Sequence, residues 1–464
     1  MVSNATSNEP NPMAERRATS DDLPFLLRSA PLLGIGGLVL LALGAAIGFL
    51  MKDSGGLNAA LTGYLYAWMF WLAVAGGGLA LSMLHHMTGG NWGRLVRPVF
   101  ESAALTMPLV ALAWIPLGIA IWTVPEQLFP WGHLHAHHHE VDAGAAAAGG
   151  HAEVPYVEGH ALHALEHQYK TWLNPLGYTI RAVVFFAVWI GFAYFVPRVA
   201  LRYRREPSER TYKSMRGLCA AGILFYAVSM SLVSVDYMMA REPGWYSSIM
   251  GFQLLVMQCL TVMLIAVLAV LSLYNRRDAV RRMLTPPLMN DLGNLVFCLV
   301  ILWAYLTFFQ FLIIYSANID HETPWYVRRG LGEYFNGFKW VGTALCVLHF
   351  LVPFLLLLIR FNKRQPRILA SICVGVLVMR LVDLFWNIGP SGLDAIIGDD
   401  APSLGVWGLR VAASLLFVLG LGGLALAVLG TLLARRDLPT LDEDYVPGLA
   451  PAALGGGSHA TTVG

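Results

Sequence analysis

"ASICVGVLVMRLVDLFWNIG", residues 370 to 389, is long enough as a helix to cross a hydrocarbon core of about 30 Å, yet it carries Arg380 and Asp383 in its second half. Without those two residues the segment would be soluble in lipid. A lone charge near the bilayer centre costs several kcal/mol, so such groups persist where they are paired, enclosed by protein or in use. At positions i and i+3 the two side chains share a helix face and can pair.

The rest of the chain has the same character. Its 464 residues are 56% hydrophobic and 13% charged, with a mean hydropathy of +0.58, far from the balance of a soluble chain. Ten apolar stretches predict membrane-spanning helices at 31–51, 59–85, 98–122, 176–197, 217–240, 249–274, 291–316, 338–360, 368–387 and 407–434. These form one transmembrane domain, 31–434. The segment 1–30 and the tail 435–464 are Gly, Ala, Pro and polar in character and are expected to be unpacked. No cleavable signal is expected, because a mostly polar segment precedes a first span too long for a signal core.

The cations orient the spans. With both termini cytoplasmic, 22 of the 31 Lys and Arg fall on one side, in the clusters Arg198 to Arg216, Arg276 to Arg282 and Arg360 to Arg367 among others. The opposite loops hold acids and histidines, as in "GLDAIIGDDAPS". The formal charge of +2 therefore reflects topology and gives no reason to expect a nucleic-acid partner.

Five cysteines, Cys219, Cys259, Cys298, Cys346 and Cys373, stand singly within spans, so no iron–sulfur or c-type haem spacing exists. The loop 123–175 holds nine of the fourteen histidines in "HLHAHHHEVDAGAAAAGGHAEVPYVEGHALHALEH". Imidazole is a common metal ligand, but His tracts with an Ala/Gly middle are more often solvated insertions, and no metal site is assigned to them.

A faint repeat is present. The fifth span ends "SLVSVDYMMAREPGW" and the ninth "VMRLVDLFWNIGPSG", while Glu101 and Asp291 stand near the starts of the third and seventh. Two parallel four-helix bundles, spans 2–5 and 6–9, flanked by spans 1 and 10, would produce this echo.

The polar groups within spans sort by depth. His85, His86, Glu101, Asp291 and Asn294 lie toward the cation-rich side, Tyr305 and His349 near the middle, and Asp236, Arg380 and Asp383 toward the other side. Such a distribution suits proton half-channels, with Arg380 and Asp383 either a relay station or a structural pair. Glu101 and Asp236 stand close enough to an interface to snorkel cheaply. Asp236 is followed by Tyr237.

The blocks "HHMTGGNWGRLVRPVFESA" (85–103), "HQYKTWLNPLGYTIRAVVFF" (167–186), "SVDYMMAREPGWYSSIMG" (234–251), "DLGNLVFCLVILWAYLTFFQFLIIYSANIDHETPWYVRR" (291–329) and "HFLVPFLLLLIR…RLVDLFW" (349–386) resemble one membrane-protein family. That family is the second quinone-binding-type membrane subunit of alternative complex III, a bacterial quinol:cytochrome c oxidoreductase, within the polysulfide-reductase-type membrane-anchor superfamily. The resemblance covers about residues 25 to 435.

The resemblance implies ten helices in two four-helix bundles plus two flanking spans, in the bacterial inner membrane. It implies as partners a paralogous membrane anchor, a periplasmic iron–sulfur subunit, haem-c subunits and a terminal oxidase. The complex would carry haem c and iron–sulfur clusters while this chain alone binds no cofactor, with quinone the one ligand the resemblance admits and Asp236 with Tyr237 the local candidates for its pocket. Two other functions remain open from the residues themselves: a stand-alone secondary transporter, and a structural scaffold without a proton path.

A topology experiment follows from the cation count. A reporter fused after Arg436 should be active in the cytoplasm and silent in the periplasm, and periplasmic activity would reverse the orientation.

Overall fold

A computed structural model describes residues 29–50, 56–135, 159–242, 245–274, 278–319, 322–330, 338–391 and 404–434. The expectations for residues 1–28, for the tail from 435 and for the centre of the His-rich loop, 136–158, lie outside the described residues. Ten of the described helices are long and apolar enough to cross a membrane. They are α1 (Ala30–Leu50), α2 (Gly56–Thr88), α3 (Gly93–Thr123), α4 (Pro175–Arg205), α5 (Glu209–Arg241), α6 (Ser248–Tyr274), α7 (Pro286–Ala317), α8 (Phe338–Leu358), α9 (Pro366–Ile388) and α10 (Gly408–Leu433). With no strand among the described residues, the chain is an all-α, multi-pass integral membrane protein.

Helices form here because lipid offers no partner for a backbone N–H or C=O, so each segment must satisfy its own. Local signals set the ends. Asn174 caps α4 by accepting the Gly177 N–H, with Pro175 in the first turn. Ser208 and Thr211 form a reciprocal capping box at α5. Asn318, with φ 45°, closes α7 in the left-handed conformation. Helices α4 and α5 extend beyond the predicted 197 and 217, because the apolar run ends there while the Arg-rich continuations remain good helix formers.

Helices α2–α5 form one bundle and α6–α9 a second, while α1 and α10 pack on each other and on α2. The best-buried span is α2, with 89% of its apolar window enclosed. It meets α6 across the bundle interface, and α9 packs on both. Glycines allow this closeness: a methyl group on Gly77 would overlap the Gln258 carbonyl of α6, and one on Gly78 would sit 2.6 Å from the Phe100 carbonyl of α3. Tyr66 of α2 spans the same interface, donating to the Leu381 carbonyl of α9 at 2.9 Å.

Helix α8 is not uniform. Residues Leu345–Leu351 form a π-helical turn that contains His349. Such turns add a residue to the helix and recur at functional sites.

Gly77→Val should destabilise the chain by about 1–3 kcal/mol, the usual cost of overpacking, by wedging the two bundles apart. Gly191→Ala, where an added methyl meets nothing within 4 Å, should not. Reversible unfolding in mixed micelles measures both.

Candidate functional site

The charged pair of α9 is enclosed by the second bundle. Arg380 and Asp383 are 2% and 1% exposed and ion-paired to each other. Trp303 of α7 donates its indole N–H to Asp383 Oδ2 at 3.1 Å, and Asn387, one turn on, donates to Asp383 Oδ1 at 3.3 Å. Arg380 also reaches Thr261 of α6 at 3.4 Å. Every oxygen of the carboxylate thus has a donor, which is what keeps an ionised group tolerable away from water.

His349 stands beside this cluster, fully buried, its ring edge-on to Trp303 with centroids 4.1 Å apart. Neither ring nitrogen has a hydrogen-bond partner among the described residues. A buried imidazole without a partner leaves its desolvation uncompensated, and the π-helical turn that carries it adds a second local irregularity.

A cleft of about 700 Å³ opens between α7 and α8, and Asp383, Trp303 and Trp386 line its inner wall. Its outer walls are Tyr305, Phe308 and Phe309 of α7 with Gly342 and Cys346 of α8. Tyr305 is 54% exposed, so it belongs to the mouth of the cleft and not to the bundle interior.

The first bundle builds the same motif differently. Asp236 of α5, 1% exposed, accepts from Arg181 of α4 at 2.8 and 2.9 Å and from the Trp172 indole at 2.9 Å. Its arginine comes from a neighbouring helix, whereas Asp383 takes one from its own. Tyr237 accepts the Trp114 N–H at 2.6 Å and lies among Trp68, Phe129 and Tyr178. The space beside Asp236 is about 10 Å³, too small for an aromatic ring.

Glu101 and Asp236 stand where snorkelling to an interface would be cheap. Both side chains are enclosed, Asp236 by Arg181 and Trp172, and Glu101 by His86 at 3.3 Å and Arg97 at 3.6 Å. His85 faces the Gly90 carbonyl at 3.0 Å. Asp291 and Asn294 lie on the chain's surface at the start of α7, with Asn294 accepting from Lys363 at 2.6 Å. Helix rise separates Asp291 from Trp303 by about 18 Å, so these two do not join the Asp383 cluster.

Two groups escaped the sequence reading. One is mid-membrane: Tyr226 of α5 donates to Gln258 of α6 at 2.5 Å, and Trp189 donates to Ser229 at 2.9 Å. Gln258 and Thr261 stand nearly one turn apart on α6, so this helix offers polar groups to both bundles. The other is an arginine clamp. Arg241 donates to the carbonyls of Leu128 at 2.9 Å and Ser391 at 2.8 Å, Arg329 to those of Trp386 at 3.0 Å and Asn387 at 2.8 Å and to the Ser391 hydroxyl at 2.9 Å, and Arg328 pairs with Glu242 at 2.6 Å. Burial lowers Arg329 to about 9, with Glu242 opposing the shift, so it stays a cation at neutral pH. The charges of "MAREPGW" and "WYVRRG", out of place on the cation-poor side, were the available signal.

No protein-family model matches the chain, and a search of curated proteins finds no match.

Arg181→Leu should cost about 3–5 kcal/mol, because it leaves Asp236 buried and unpaired, and Arg181→Leu/Asp236→Leu should recover most of that loss. Unfolding in mixed micelles separates the two variants.

Proposed function

We propose that this chain is a membrane subunit of a bacterial respiratory quinol:cytochrome c oxidoreductase of the alternative complex III type, in which the second bundle exchanges protons. The observation that carries the reading is that Trp303 touches both a buried, charge-paired carboxylate, Asp383, at the inner wall of an open cleft, and, behind that wall, the imidazole of His349, which has no hydrogen-bond partner among the described residues. An acid and a base held apart from water, within reach of a cavity, are the parts that proton transfer requires. The motif resemblance supplies the redox setting. In it, haem c and iron–sulfur clusters belong to partner subunits, the membrane is the bacterial inner membrane, and both termini are cytoplasmic.

The polar groups of α6 extend this reading. Thr261 touches Arg380 and Gln258 touches Tyr226, so rearrangement of the Arg380–Asp383 pair is coupled by contact to the interface with the first bundle. His86 with Glu101, at the cation-rich end, is the corresponding group on the other side of the membrane.

Cleft volume favours one addition. About 700 Å³ with mostly aromatic and aliphatic walls suits a prenylated quinone ring, with the Asp383 relay bordering the ring site rather than taking the ring's own proton. The sealed site at Asp236 and Tyr237 lacks that space. A bound quinone would supply two-electron chemistry coupled to protons. For their part, the cleft residues hold apolar surface and a titratable oxygen in one wall.

The test uses the assembled complex in proteoliposomes. A tagged chain should co-purify with haem-c and iron–sulfur subunits, and Asp383→Asn should lower the proton-to-electron ratio while quinol oxidation persists. An unchanged ratio at normal turnover would make the pair architecture only, and purification without redox partners would favour a separate transporter.

A further inference from the structure

A second cavity, about 760 Å³, lies at the cation-rich end of the first bundle between α3 and α4, far from the Asp383 cleft. Its lining has two characters. Arg97, Arg198, Arg204 and Arg205 contribute four guanidinium groups against one carboxylate, Glu101, which is already engaged by His86 and Arg97. Leu105, Ala193, Leu201 and the two prolines Pro98 and Pro197 belong to its apolar part.

We infer that this cavity binds the phosphate headgroup of an anionic phospholipid, with its acyl chains against the apolar wall. Three features favour this occupant. Guanidinium pairs phosphate oxygens bidentately, and several guanidiniums round one cavity favour an anion carrying more than one acceptor oxygen. The arginines sit where the apolar part of α4 gives way to "RVALRYRR", residues 198–205, the depth at which phospholipid phosphates lie. Leu201, 43% exposed, and Tyr194, 46% exposed and stacked under Arg198, present apolar surface at the mouth, which a soluble phosphate compound would not use. A basic pocket between transmembrane helices is a recurrent form of headgroup recognition. The inference does not depend on the proposed redox role.

Native mass spectrometry of the full chain in neutral detergent tests it, with phosphatidylglycerol and phosphatidylcholine of identical acyl chains as probes. Phosphatidylglycerol should bind about tenfold more tightly. Arg198→Gln/Arg205→Gln should abolish that preference, Arg198→Lys/Arg205→Lys should keep most of it, and Arg281→Gln/Arg282→Gln, removing two exposed cations elsewhere on the same side, should leave it intact. Equal binding of the two lipids, or an unchanged preference in the Arg198→Gln/Arg205→Gln variant with a monodisperse, normally melting protein, would overturn the assignment. So would displacement of phosphatidylglycerol by millimolar inorganic phosphate at constant ionic strength, which would mark a site for a soluble anion.

Discussion

The close approach of α2 and α6 is the constraint on which the architecture turns. Gly77 leaves no side chain between its own backbone and the Gln258 carbonyl, so the two best-buried spans touch along the interface of the bundles. In lipid, where apolar side chains gain nothing by leaving one hydrocarbon for another, association depends on such close packing and on hydrogen bonds between helices. The contact also determines which polar groups can meet. With α6 pressed against α2, Gln258 reaches Tyr226 in the first bundle while Thr261, nearly a turn further on, reaches Arg380 in the second. A helix displaced by the width of a side chain would take Gln258 from Tyr226 and Thr261 from Arg380.

The two carboxylates show how one local pattern acquires two environments. Each follows a valine, is almost completely buried, and takes one guanidinium and one indole N–H. Around Asp236 the space left by these partners is filled by Tyr237, Phe129, Tyr178 and Trp68, and little volume remains. Around Asp383 the next residue is Leu384, and α7 and α8 diverge on one side to leave the cleft. A buried ion pair contributes little net stability against a well-packed apolar substitute, so charge alone does not distinguish the two sites. Their difference is access: one carboxylate is sealed and the other borders a cavity.

The sequence made the helices legible because in a bilayer apolar length nearly dictates helical structure. It also paired Arg380 with Asp383, since i and i+3 geometry is local. It did not pair Arg181 with Asp236, because that contact joins two helices 55 positions apart and depends on how they pack. The π-helical turn at His349 has no marker in "LCVLHFL", which an ordinary α-helix would accommodate equally well. Depth estimates from helix rise placed Tyr305 and His349 together near the middle. Rotation about the helix axis separates them, one to the mouth of the cleft and the other into the core.

Rotation and burial also refine what a cation says about topology. The positive-inside bias reflects the difficulty of moving charged, water-exposed side chains across the membrane, and it counts all Lys and Arg alike. Arg241 and Arg329 depart from that picture, since the folded chain encloses both and answers their donors with the carbonyls of Leu128, Ser391, Trp386 and Asn387. Arg328 is met by Glu242, and Arg380 by Asp383. These cations serve to hold the ends of α5 and α9 together or to balance a carboxylate. The arginines at the opposite end, Arg198 and Arg205 among them, are exposed or line an open cavity. Charge that is enclosed by its own chain fixes packing, and charge that remains accessible is what a lipid surface can recognise.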